Sequence, residues 1–310
     1  MGKTAILFTG QGAQSPGMGK DVAEVSPAAA AIFERANAIV GYDLAKLCFE
    51  GPAEKLAQTD IQQPAIFTCS AAIWAALQQS AELGEEVMAM AGLSLGEYTA
   101  LYAAGSIDFD YALKLVKRRG ELMQEASSAV PSGMVSALGL DADQVEAICR
   151  EASHAGLIGA ANFNCPGQIV LSGEKAACEA VLPLVEKAGG RAVPLKVAGA
   201  FHSPLMQPAA DALTAILEQT PIHPPRVPVM ANVNADHHKD PATTRKWLSE
   251  QLTHPVRWQD CIEKLMSEGI ERFIEIGPGR ILTGLVKKIS RRTEVENIST
   301  AADLAARSAR

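Results

Sequence analysis

The 310-residue chain is short of positive charge: 28 lysines and arginines stand against 35 aspartates and glutamates, a formal net charge of −7. General nucleic-acid binding relies on an excess of cations facing phosphates, so this balance argues against it. Paired cysteines are missing too. Cys48, Cys69, Cys149, Cys165, Cys178 and Cys261 are scattered without any Cys-x-x-Cys spacing. That suits free thiols in a reducing cytosol and offers no metal-ligand set. A clean membrane span is also absent. Residues 61–81 carry no charge, but Pro64, Gln62, Gln63, Gln78 and Gln79 interrupt them, and a buried helix is expected instead. The first residues, MGKTAILFTG, enter a strand-like run too early for a secretory leader. A cytoplasmic protein that does not act at a membrane is expected. No internal repeat is visible, and the length allows one large core or a core with a second module.

What the chain does contain is a stretch that suggests chemistry. Residues 87–91 form a short apolar run, and Gly92, Ser94 and Gly96 follow in Gly-x-Ser-x-Gly spacing before a run of helix formers from Glu97 to Ala104. A sharp strand-to-helix turn strains the central residue, and flanking glycines keep Cβ atoms from colliding with it. Ser94 Oγ would be raised at the top of a sheet. The helix start beyond it would favour developing negative charge, with the Leu95 N–H as a candidate oxyanion donor. The alternative is an ordinary glycine-rich turn with a buried serine.

Residues 4–9 (TAILFT) read as a first strand running into Gly10, Gln11 and Gly12. The third glycine of a dinucleotide fingerprint is misplaced, but a turn at a strand's carboxyl end can set Gln11 beside a ligand. Ser26 and Pro27 read as the start of a helix; a further helix is expected over 64–79. A helix over 111–126 would carry Leu115, Arg119, Leu122 and Met123 on its inner face. A buried Arg119 implies either a structural ion pair or a guanidinium awaiting a carboxylate or phosphate.

Between residues 132 and 196 the pattern becomes β-α-β-β-α-β, the ferredoxin-like order. We therefore expect an α/β protein: a large domain with a mainly parallel sheet, residues 1–129 and 198–310, and a small ferredoxin-like insertion at 130–197. Beyond the insertion, residues 227–233 (VPVMANV) read as a strand, 240–252 and 258–268 as helices, and 270–276 as the last strand. The tail over 301–310 is expected to fray. Among the histidines, His237 and His238 fall in a polar, solvated loop, His154 suits a helix C-terminus and His223 lies among prolines. His202, where the chain re-enters the large sheet, is the favoured base for Ser94, with His254 next. No aspartate or glutamate stands out to orient it, though a backbone carbonyl can do so.

Together these stretches resemble the malonyl-CoA:acyl-carrier-protein transacylase family over nearly the whole length. FTGQGAQ (8–14), GLSLGEY (92–98), Arg119 with Gly120, NFNCPGQIVLSG (162–173), AFHSPLM (200–206), QLTHPVRW (251–258) and EIGPG (275–279) match in order. The resemblance implies an α/β-hydrolase-like large domain with Ser94 as acylated nucleophile and His202 as its base. Gln11 with the Leu95 N–H would form the oxyanion hole, and Arg119 would hold the malonyl carboxylate. The Gln251 main-chain carbonyl would orient His202, and Phe201, Asn162 and Met123 would contribute to substrate binding. It also implies malonyl-CoA and acyl carrier protein as substrates, fatty acid biosynthesis as the setting, no cofactor and a monomer. The alternatives are a serine thioesterase or esterase, and a non-catalytic carrier-binding module. The basic cluster Lys287, Lys288, Arg291 and Arg292 is a candidate carrier-docking patch. Leu93, where many members carry histidine, and Thr9 and Ala13, in place of more usual proline and serine, depart from the pattern.

Overall fold

Strand β1 (Thr4–Phe8) is buried at every residue, as a strand covered on both faces must be. The structure, a computed structural model, describes residues 2–79 and 87–308. The remaining strands are β2 (Val87–Gly92), β3 (Ser132–Leu138), β4 (Ile158–Cys165), β5 (Gln168–Glu174), β6 (Arg191–Pro194), β7 (Arg272–Ile276) and β8 (Glu294–Ile298).

One four-stranded sheet has the order β2-β1-β7-β8, and every pairing in it is parallel. Side-chain alternation splits it between two cores. Ile6, Phe8, Met90, Ile274 and Ile276 face a cluster with the Thr59–Gln79, Leu95–Ala103 and Phe109–Ala129 helices. Ala5, Leu7, Ala89, Ala91 and Phe273 face another, with the Trp258–Ser267 and Ile281–Ile289 helices.

The second sheet, ordered β4-β5-β3-β6, is antiparallel throughout. Its elements run from Ser132 to Pro194 as β-α-β-β-α-β. The Ala142–Ala152 and Lys175–Lys187 helices pack Val145, Ile148, Val181 and Val185 onto one face, and Asp141 with Gln144 closes the first of them with a capping box. β4 is stitched to the rest of the chain at Val256, whose N–H donates to the Ala161 carbonyl at 2.8 Å.

Four expectations need correcting. Residues 227–233 form no strand; Val229 and Met230 make only isolated bridges, to Met90 and His237, in a stretch where Pro228 lacks an amide to donate. β7 is not the last strand, because β8 pairs beside it; the glutamates at 294 and 296 mask that edge strand's pattern. The tail does not fray over 301–308. Ala301–Ser308 is a helix, tied down where the Ala301 N–H donates to Asp21 at 2.8 Å and where Arg307 meets Glu296 at 2.6 Å; Ala309 and Arg310 lie outside the described residues. Finally, the helix expected from Pro64 begins at Thr59, with Pro64 inside it. A Cβ on Gly120 would crowd the Thr59 carbonyl, so glycine lets the Phe109–Ala129 helix approach closely here. Ser80 and Ala81, at the end of the uncharged run, lie outside the described residues. Among the described residues, no helix is long and apolar enough to cross a membrane.

Candidate active site

Ser94 sits between β2 and the Leu95–Ala103 helix with φ 51° and ψ −102°, a left-handed backbone that costs a non-glycine residue of order 1–3 kcal/mol. The turn closes tightly: a Cβ on Gly92 would strike the Gly96 backbone, and one on Gly96 would strike the Phe8 carbonyl. The Ser94 N–H donates to Asn232 Oδ1 at 2.6 Å. Leu95 opens the helix, so its N–H has no intrahelical acceptor.

His202, itself at φ 56°, places Nε2 2.8 Å from Ser94 Oγ and Nδ1 2.7 Å from the Gln251 carbonyl. A carbonyl only accepts, so Nδ1 carries the proton and the Nε2 lone pair faces the serine. Burial pushes the imidazole's pKa down to about 4, helped by the Arg119 charge and opposed by the Gln251 carbonyl. At neutral pH the ring is uncharged and able to accept a proton.

Arg119 is completely enclosed. Its Nη1 donates to Gln63 Oε1 at 2.7 Å, and its Nη2 to Ser94 Oγ at 3.0 Å and Gln251 Oε1 at 2.9 Å. The guanidinium lies 5.1 Å from the centre of the Tyr98 ring. Every hydrogen-bond acceptor is uncharged, and Nε has none. Burial lowers its pKa, with Tyr98 and Glu97 acting against that. The structural ion pair that the sequence allowed is therefore not what occupies this arginine.

A cavity of about 440 Å³ opens onto the pair, lined by Gln11, Leu93, Ser94, Asn162, Phe201 and His202 among others. Gln11 Nε2 donates to Gln62 Oε1 at 2.7 Å. Met123 does not line the cavity; it lies behind Gln63, whose Nε2 donates to the thioether at 3.3 Å. A larger cavity of about 780 Å³, lined by Phe163, Cys165, His254 and Arg257, holds neither Ser94 nor His202. Among the described residues, no group of three or more His, Cys, Asp or Glu side chains could hold a metal ion.

Sequence reasoning gave no role at this site to five residues that pack around it: Gln62, Gln63, Glu97, Asn232 and His238. The two glutamines carried a signal, since amides in an otherwise apolar helix need partners when buried. His238 requires correction. It is not solvated; its side chain is fully buried and its Nε2 meets Glu97 Oε1 at 2.9 Å. His237 beside it is only partly buried and meets Glu268 at 2.7 Å.

A strained serine on a strand-to-helix turn, a neutral imidazole on its Oγ and a cation beside it define a serine-dependent acyl transferase on an α/β fold. The sequence profile of the "Acyl transferase domain" accordingly matches residues 6–306. The chain belongs to the malonyl CoA-acyl carrier protein transacylase family. It is 44% identical to the Bacillus subtilis protein of that description over 301 residues, 96% of this chain and 94% of the relative. To the Escherichia coli K12 protein it is 41% identical over 290 residues, 93% of each. Among solved structures, an acyl carrier protein S-malonyltransferase from Vibrio cholerae superposes with a TM-score of 0.93 at 42% identity, covering 98% of this chain and 99% of that one. A malonyl-transacylase in complex with its type II PKS acyl-carrier protein superposes at 0.94, with 40% identity over 98% of both chains.

Proposed function

We propose that this chain transfers a malonyl group from malonyl-CoA to the phosphopantetheine thiol of an acyl carrier protein, in fatty acid biosynthesis, through a malonyl ester on Ser94. The observation that carries the reading is Arg119: a buried cation 3.0 Å from Ser94 Oγ with only uncharged hydrogen-bond partners. Its planar fork suits the free carboxylate that distinguishes malonyl from acetyl.

In this reading His202 Nε2 takes the proton of Ser94 as Oγ bonds to the thioester carbon. The carbonyl oxygen, now negative, is received by the Leu95 N–H and Gln11. The C–S bond breaks, and coenzyme A leaves as the thiol with the proton from His202. The carrier thiol then gives its proton to His202 and attacks the ester carbon, and Oγ recovers a proton as the C–O bond breaks. Such covalent catalysis predicts ping-pong kinetics. The malonyl carboxylate also offsets the Arg119 charge that lowers the proton affinity of His202, so the acid-bearing substrate makes its own base stronger. Asn162 and Phe201 shape the acyl end of the cavity, with Met123 backing Gln63. Fixed by Gln251, His202 needs no aspartate. The thioester is already activated, so no metal or cofactor is required. We further propose that the chain works as a monomer in the cytoplasm, where six free thiols stay reduced.

Intact-mass measurement after mixing with malonyl-CoA tests the reading. One malonyl group should add to the chain, fail to add to S94A, and leave on addition of carrier protein. Steady release of malonate to water would make the protein a thioesterase, and no adduct at all would leave it a carrier-binding module.

A further inference from the structure

Glu97, three residues after Ser94, is fully buried and is not used in the reaction steps above. Its Oε2 accepts from the Asn232 N–H at 2.9 Å and from Gln251 Nε2 at 2.7 Å, and its Oε1 receives His238 Nε2 at 2.9 Å. Both partners of Oε2 reach the nucleophile. Asn232 Oδ1 accepts from the Ser94 N–H, while its Nδ2 donates to the Gly92 carbonyl at 2.9 Å. Gln251 Nε2 also donates to the Ser94 carbonyl at 3.0 Å, its Oε1 accepts from Arg119 at 2.9 Å, and its main-chain carbonyl meets His202 Nδ1 at 2.7 Å. One carboxylate thus sits a single residue away from the nucleophile's backbone, the base and the substrate-binding cation.

We propose that Glu97 and His238 form a buried positioning pair: Glu97 fixes Gln251, and through it His202 and Arg119, while His238 fixes Glu97. An enclosed carboxylate needs a donor on each oxygen, and among the described residues His238 is the one donor to Oε1. Gln251 stands as an amide between Glu97 and Arg119, so the two opposite charges never touch. Were Oε1 to lose its donor, the carboxylate would be drawn to the guanidinium, displacing Gln251 and neutralising the cation meant for substrate. His238 is suited to the task by being itself held: its N–H donates to the Val229 carbonyl at 2.8 Å, and its ring lies 5.4 Å from that of Trp247. The family's orienting carbonyl on Gln251 is, in this chain, anchored by an acid and a histidine one step further back.

The inference rests on the acyl-transfer reading, and two variants test it. H238F keeps an aromatic ring beside Trp247 but removes the donor, whereas H238Q keeps a donor within reach. In folded H238F, kcat/KM for malonyl-CoA should fall on the order of tenfold or more, the cost typical of a misplaced reacting group. The rate of Ser94 sulfonylation by phenylmethanesulfonyl fluoride should fall with it, and H238Q should restore most of both. Should H238F not fold, H238N, too short to reach Oε1, replaces it in the comparison. A folded variant lacking the donor that matches wild type in both rates, or an H238Q as impaired as H238F, overturns the proposal. Sulfonylation needs no malonyl substrate, so failure of the wild-type chain to transfer malonyl would count against the proposed function alone.

Discussion

Arg119 is a cation whose hydrogen-bond acceptors are all uncharged, and in the proposed reaction the energetic consequence is selectivity. There, an acyl group that brings a carboxylate would satisfy the guanidinium, and one that does not would leave it desolvated and unmatched. In R119A, malonyl transfer should lose about 3 kcal/mol of transition-state stabilisation, on the order of 100-fold in kcat/KM. Acetyl transfer should be kept or improved, and R119K should not rescue malonyl, since an ammonium cannot form the bidentate contact. Side-by-side kinetics with malonyl-CoA and acetyl-CoA decide it; equal losses for both would remove Arg119 from the specificity role. At this scale the sequence distinguished His202 from its peers by where the chain re-enters the sheet. It could not separate His238 from His237. The two are adjacent and sit in the same polar loop, and only the fold-back that pairs the His238 N–H with Val229 buries one of them.

At the scale of elements, the strand-turn-helix around Ser94 was legible because its constraints are local: Gly92, Ser94 and Gly96 determine one another. A Cβ at Gly92 would collide with rigid backbone, so G92A should destabilise the chain by about 1–3 kcal/mol, as overpacking does. It should also lower the rate of Ser94 acylation. G133A provides the contrast, since a Cβ there meets nothing within 4 Å and should shift stability by no more than about 0.5 kcal/mol. Denaturant unfolding of the two variants measures both, and equal stabilities would show that the turn is not closed as described. β8 and the Ala301–Ser308 helix were not legible for the opposite reason. Their partners, β7 and the residues around Asp21, lie elsewhere in the chain, and nothing in the local pattern announces them.

For the whole molecule, the reading of two sheets came from a change of pattern along the chain, but the place where they meet did not. β4 reaches across to Val256, which brings Asn162 to the same cavity as Ser94 and leaves one wall of that cavity to the antiparallel sheet and the other to loops and helices that follow the parallel strands. The Ile281–Ile289 helix contributes Ile281 and Leu285 to the cavity. Its last turn carries Lys287 and Lys288, and Lys288 Nζ donates to Gln168 Oε1 at 2.8 Å on the facing sheet. In the proposed reaction a carrier protein delivers its phosphopantetheine arm into this cavity, and the Ile281–Ile289 helix on its rim is the docking face we propose. On a chain of net charge −7, an acidic carrier needs such a local cluster to overcome the general repulsion. Reversing both charges, as K287E with K288E, should therefore raise KM for carrier protein about tenfold at low ionic strength, as expected for losing two attractive pairs and gaining two repulsive ones. The difference from wild type should shrink as salt screens the contact. KM for malonyl-CoA and the extent of Ser94 malonylation should hold. Carrier kinetics indifferent to the reversal would move the docking face elsewhere on the rim.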